Sequence, residues 1–458
     1  MTAVFPRQQP CEYQQPEQPR ELLLLLCFTV FWSVLNGTMF NVAVPDIAGE
    51  FRLTAAAVSW VVTGYIAVFA LAATTYGKLA DHYPVRRLMT IGLLLFNFGA
   101  LLSLVAPWYP LLVAGRLVQA AGGGAIPALV MISATRYARV EQRGQVLGAV
   151  GATVAVGMGL GPLVGGLLAG FFHWRWLFLL SFATLLVILP LRRTLPTESS
   201  RPGEFDLAGA LLLAAGMTLF LLVLTGHSAW LLLPVPLLGS WLKAHLSRSP
   251  TPFLPQRLLG EALFRRALLV TCLSLGAMFG LLFAVPLLLR QLFALETISI
   301  GLVIFPGALF AALAGLIGGR LVDRLGVYPI ALAGQGCLAV SLLLLGALGN
   351  RSPLLVTLIL VFSYAGFALL QPALGKTVSL VLPAEQVGIC MGIYNLTYFL
   401  SGAVGTALAG GLISLLGAAP VRAFATVFAG AALGPLASMV VFRQSFARLE
   451  TDKVKVEN

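Results

Sequence analysis

The sequence predicts an all-α membrane protein of fourteen transmembrane helices, arranged as two six-helix bundles plus an inserted helix pair. Three observations predict it. Of 458 residues, 59% are hydrophobic and only 10% are Asp, Glu, Lys or Arg, where a soluble domain carries about 25% charged residues. Such a chain cannot supply the polar coat that a soluble fold requires, which excludes soluble enzymes, secreted domains and disordered chains. Apolar stretches of about 20 residues, enough to cross roughly 30 Å of hydrocarbon, recur fourteen times. A short polar motif also occurs twice, eight spans apart.

The first six spans centre near Phe28, Ile66, Leu94, Gly122, Gly157 and Ala183 and make an N-terminal bundle, residues 21–193. A polar linker, 194–206, leads to spans near Gly216 and Leu237, divided only by Gly226 and His227. These two form an inserted hairpin, 207–246, followed by a cytoplasmic loop, 247–264. The last six centre near Gly276, Ala308, Ala339, Val361, Thr397 and Ala431, giving a C-terminal bundle, 265–442. Residues 1–20 and 443–458 read as cytoplasmic tails. The first 20 lack a signal-peptide pattern, so the first span is expected to stay as an uncleaved helix.

The net charge of +12 would suggest nucleic acid in a soluble protein; here it resolves into sidedness. Alternate connections hold Arg52, Arg175, Arg290, Arg351 and Arg422, five basic residues, and the opposite side holds 23 of the 29. Arg116 alone lies inside a span. Basic loops stay inside, so both termini are expected in the cytoplasm of a multi-pass inner-membrane protein, with the lipid bilayer and not nucleic acid as its partner. The five cysteines are widely spaced without a CxxC pair, and the four histidines fall in connections. No Walker loop, catalytic triad, zinc spacing or dinucleotide fingerprint has its required context. No enzyme activity, metal or cofactor is expected.

Three motifs carry the functional reading. The second span ends in Gly77-Lys-Leu-Ala-Asp81 followed by Arg86 and Arg87, and the tenth in Gly319-Arg-Leu-Val-Asp323-Arg324. Glycine allows a tight turn, and the acid can accept hydrogen bonds from a helix N-terminus and nearby arginines; the alternative is an ordinary basic loop. The fourth span holds Arg116 and Gln119, three glycines (Gly122–Gly124) and Pro127. A charge there is expensive and faces a cavity or a partner, unless it snorkels to the headgroups. The fifth span sets Gly148, Gly157, Gly161-Pro162 and Gly165-Gly166 in register, a smooth face for close helix crossing with a Pro-induced bend.

On these motifs the chain resembles the major facilitator transporters, in particular the fourteen-helix drug:proton antiporters and, among them, the tetracycline efflux proteins of Gram-positive bacteria. The resemblance covers almost the whole chain. It implies parallel six-helix halves that rock about a central cavity. The Gly77–Arg87 and Gly319–Arg324 segments would form a cytoplasmic latch, with Asp81 and Asp323 closing the gate. Arg116 would be an electrostatic centre tied to coupling, and the glycine pattern of the fifth span would be the signature of exporters. Here Ala120 stands where the pattern after Gln119 has glycine.

The chain also departs from these relatives. All 17 acids fall in tails, connections or span ends, whereas the tetracycline relatives carry acids within the first, fifth and thirteenth spans. The matching positions are Gly37, Met158 and Gly402. Arginine does not release a proton, which leaves Asp46 or Asp81 at a helix end, or the substrate itself, to carry one. Asn36, Asn41, Asn97, Gln119, Gln335, Tyr364, Gln371 and Asn395 are candidates for the cavity wall, or for hydrogen bonds between helices instead, with Asp46 as a coupling residue. The function expected is export of small amphipathic compounds, of the drug or tetracycline efflux type, by alternating access with proton antiport. The alternatives are export of an anionic or lipid-like metabolite without protons, and a non-transporting membrane sensor or scaffold.

Overall fold

The computed structural model describes residues 20–137, 143–196, 198, 206–225, 233–249, 258, 260–380, 387–417 and 419–456. Every regular element among them is helical. Thirteen stretches are long and apolar enough to cross a membrane. With no water in hydrocarbon, each backbone amide must bond within its own helix, and a run of apolar side chains therefore folds as one.

The N-terminal bundle starts with α1 (Arg20–Glu50), α2 (Ala55–Leu79) and α3 (Val85–Leu104). The fourth span is divided at Gly124 into α4 (Tyr109–Gly123) and α5 (Ala125–Arg136), just before Pro127, whose missing N–H cannot continue the ladder. α6 is Arg143–Phe171. The sixth span combines a 3₁₀ segment, Trp174–Val187, with α7 (Ile188–Thr194). The C-terminal bundle contains α10 (Ala262–Phe293), α11 (Thr297–Leu325), α12 (Val327–Leu348), α13 (Pro353–Leu380), α14 (Val387–Leu415) and α15 (Pro420–Val456). The bundles meet where α6 packs on α11 and α2 packs on α14.

Between the bundles lie α8 (Leu207–Leu224) and α9 (Pro234–Arg248). α8 leans on α2 of one bundle and α14 of the other. At its start Asp206 accepts from the Gly209 amide at 2.8 Å and meets His245 of α9 at 2.7 Å. The described part of α9 has 15 residues, about 22 Å of helix. Residues 226–232, where the two predicted spans join, lie outside the described set, as do most of the linker and half of the 247–264 loop.

Several expectations need correction. Gly77 lies within α2 and Gly319 within α11, both facing open space, so neither makes the predicted turn. Gly326, at φ 87°, ends α11 instead, a conformation that glycine adopts without strain. Asp46 does not follow the first helix but lies inside it. α15 runs on to Val456, through most of the predicted tail.

Candidate functional site

A cavity of about 560 Å³ lies between the bundles, a size that suits a small molecule. α1 and α6 form one wall; α10, α11, α13 and α14 form the other. Along α11 it extends from Ile304 to Gly319, about 22 Å of helix, reaching the end of the molecule that carries the basic loops. Of the predicted site residues, Asn41, Pro162, Gly319, Tyr364 and Gln371 line it; Arg116, Gln119, Asn36, Asp46, Asn97, Gln335 and Asn395 do not.

At the other end the bundles are closed on each other. Arg290 of α10 donates to Asp46 of α1 at 2.5 Å and to Thr297 of α11 at 2.7 Å, and Thr297 donates to the second carboxylate oxygen of Asp46. Charge-assisted bonds of this kind are stronger than neutral ones. The Ala56 amide of α2 donates to Ser414 of α14 at 2.7 Å. A Cβ on Gly166 would sit 3.0 Å from the Cα of Gly301 and 3.1 Å from the Thr297 carbonyl, tighter than ordinary contact, so glycine favours this close approach of α6 to α11.

The glycine pattern of α6 serves two contacts. Gly157, Gly161 and Gly165 recur every four residues and face α1, where a Cβ on Gly165 would meet the Met39 carbonyl at 2.5 Å. Gly166 faces α11. One series packs the helix inside its own bundle, and the other position closes the bundles together. Gly148 lies in the same helix; its surroundings are outside the described residues.

Arg116 is 1% exposed and sealed inside the N-terminal bundle. It donates to the Gln119 oxygen at 2.8 Å, to the Asn36 oxygen at 3.3 Å and to the Val61 carbonyl at 3.4 Å. Its guanidinium lies 3.9 Å from the centre of the Tyr65 ring and 4.3 Å from that of Phe40, both within reach of cation–π attraction. Asn36 and Gln119 both donate to Ser181, at 2.8 and 3.0 Å. The charge is therefore spread over neutral oxygens and ring faces, so of the two expected placements, cavity or partner, the side chain takes the partner.

At the basic end, Asp81 is 72% exposed and stands 3.8 Å from Arg136 of its own bundle. Arg136 also bonds the Ala80 carbonyl at 3.1 Å and Glu198 at 3.2 Å, while Glu198 accepts from the Val85 amide at the start of α3 at 2.9 Å. This cluster joins the loop to the linker, not to the other bundle. Arg87 and Arg324 are exposed and Arg86 half-buried; none makes an ion pair among the described residues. Asp323 lies in α11, with its side chain outside the described set.

Glu198, Ser181, Arg290 and Thr297 were missed as site residues. Arg290 had a signal: on a side nearly free of basic residues, each one that remains needs a reason. Arg175 has the same explanation, pairing with Glu50 at 2.9 Å. Ser181 had none, because a hydroxyl in an apolar span bonds its own backbone by default.

A family model, "Major Facilitator Superfamily", matches residues 26–406 and 267–455. The "Multidrug resistance protein B homolog" of Mycobacterium tuberculosis (strain CDC 1551 / Oshkosh) is 30% identical over 392 residues, covering 81% of this chain and 72% of the relative. "Riboflavin transporter RibZ" of Clostridioides difficile is 27% identical over 375 residues, covering 80% and 82%. These relatives bear multidrug and riboflavin names, not tetracycline. A peptide transporter POT solved in complex with sulfate superposes with a TM-score of 0.72 at 16% identity, over 94% of this chain and 97% of that one, a likeness of fold.

Proposed function

Since the chain belongs to the major facilitator superfamily, we propose that it exports small amphipathic compounds across the inner membrane by alternating access and proton antiport. In this reading the chain crosses fourteen times, and both termini are cytoplasmic. The observation that carries the reading is one closed end and one open approach: the bundles are tied by Asp46, Arg290 and Thr297, while the cavity runs toward the basic end. Basic loops face the cytoplasm, so this is the state that loads cargo from inside.

The cycle follows from these contacts. Opening the external end breaks the Arg290–Asp46 pair and parts Gly166 from Gly301. Closing the cytoplasmic end brings the Gly77–Arg87 and Gly319–Arg324 segments together, where Asp81 and Asp323 latch. Asp46 bridges the bundles on one side only of this exchange, which makes it the acid suited to take a proton when Arg290 departs. The multidrug-resistance name of the Mycobacterium relative supports cargo broader than tetracycline.

The test is transport by purified protein in liposomes, using everted orientation, an imposed pH gradient, and tetracycline, ethidium and riboflavin as cargo. Uptake driven by an acidic lumen supports the proposal. Uptake indifferent to the gradient overturns antiport, and no uptake of any cargo overturns export. A second reading, movement of a metabolite without proton exchange, is favoured by the cavity wall, which has no ionisable carboxylate among its described residues.

A further inference from the structure

We propose that the cavity selects uncharged, ring-bearing solutes with amide-like hydrogen-bonding groups, held between one amide from each bundle. The inference rests on the transport reading above and deepens it by naming the class of cargo.

Among the described lining residues there is no Asp, Glu, Lys, Arg or His. Arg116, the charge nearest in the sequence-based picture, is shut inside the N-terminal bundle at 1% exposure. An ion entering this space would lose water and gain no opposite charge, a cost far above that of its neutral counterpart. The wall therefore discriminates against cations and anions alike. It disfavours cations because no carboxylate meets them and ring faces return only about 0.5–2 kcal/mol, and anions because the guanidinium is committed to Asn36, Gln119 and two rings.

What the wall does offer is flat and polarisable. Tyr364, Phe367 and Tyr394 supply ring faces and Met158 a thioether, which together favour planar ring systems. The polar contacts come from Asn41 on α1 and Gln371 on α13, and neither side-chain amide hydrogen-bonds another described residue. A primary amide donates and accepts at once, the complement of a lactam, imide or ring carbonyl. Because Asn41 and Gln371 belong to different bundles, a solute that bonds both is gripped only at the spacing of the bundles seen here. Rocking then releases it without any change of charge in the wall.

The test is equilibrium binding to the full-length protein in lipid nanodiscs with four probes. Riboflavin and lumichrome are uncharged; riboflavin 5′-phosphate adds negative charge to the same ring; ethidium is a planar cation. The expected result is binding of at least one uncharged probe about tenfold or more tighter than the phosphate and ethidium, a gap of about 1.4 kcal/mol. Asn41→Leu and Gln371→Leu should each weaken that probe several-fold, and Met158→Asp should shift preference toward ethidium. Equal or tighter binding of a charged probe, or failure of both uncharged probes to bind, overturns the inference. So does indifference to both leucine variants while their circular dichroism and melting match the parent. Transport separates the two claims: ethidium exported without uncharged-probe binding sinks the selectivity and leaves export standing. Binding as expected with no transport of any probe sinks export alone.

Discussion

Arg116 is where the sequence is most legible and most misleading. A lone arginine inside a span announces itself, and helix rise gives its depth. Depth does not give azimuth: which neighbour the side chain faces depends on partners such as Ser181, 62 residues from Gln119. The guanidinium faces inward because three oxygens and two rings satisfy it there, so its role in this structure is to hold α1, α2, α4 and the 3₁₀ segment together. Hydrogen bonds to a charged group contribute about 1.5–3 kcal/mol each. Arg116→Met should cost about 3 kcal/mol in SDS-unfolding titrations, and Arg116→Lys nearly as much, since an ammonium lacks the planar fork. Riboflavin binding by the folded fraction should stay within about twofold of the parent, as expected for a site with no shared contact. A selective loss of binding with unchanged stability would contradict this placement. Ala294 gives the opposite sign. It caps α10 at φ 52°, a left-handed position that costs a residue with a Cβ about 1–2 kcal/mol, so Ala294→Gly should raise the melting temperature.

At the scale of elements, α6 carries two registers in one sequence. Gly161→Val collides with Thr38 inside the N-terminal bundle and should reduce the yield of folded protein on size-exclusion chromatography. Gly166→Val collides with α11 across the junction and should leave folding intact while holding the external end apart, cutting export by about tenfold or more. If both variants fail in the same way, the division of faces is wrong. The spacing of these glycines was readable from sequence. Their allotment to α1 and α11 was not, because residues 161, 165 and 166 differ by about 100° per step and the partner on each side is a distant segment. The gate was half readable. Asp46 and Arg290 both stood out on the sparsely charged side, but 244 residues separate them. Asp46→Asn should raise labelling of an external-end cysteine placed at Ile298, and the exchange Asp46→Arg with Arg290→Asp should return it toward the parent. The span near Leu237 was readable as an apolar stretch, and 15 of its residues are described, as α9.

For the whole molecule, the two bundles repeat a packing device as well as a motif. In the first, Asn36 and Asn97 reach Ser181 and Thr184 of the sixth span at 2.8 Å each. In the second, Ser274 and Gln335 reach Ser438 of the last helix at 2.7 and 2.8 Å. Each bundle is thereby internally pinned, while most ties between bundles are close backbone contacts and one ion-pair cluster, the division of strength that rigid-body rocking needs. The repeat of Gly77–Asp81 at Gly319–Asp323 made the two-bundle plan legible; the pinning was not, because serine and asparagine in apolar helices carry no period. A single cysteine at Gly375, which lines the cavity, should react with a membrane-impermeant maleimide from the cytoplasmic face and not from outside. The reverse pattern would invert the topology.

The helix pair between the bundles breaks the equivalence of the molecule's sides. α8 lies along the α2–α14 junction, with Trp60 donating to Thr225 at 3.3 Å and the Leu224 carbonyl against Gly411. Among the described residues nothing comparable lies along the α6–α11 junction. A solute dissolved in the surrounding lipid would meet a shielded flank and a bare one, and the bare flank is formed by α6 and α11, two of the six helices that line the cavity. The two flanks of the molecule are therefore unlike, although a motif and a packing device recur in both bundles.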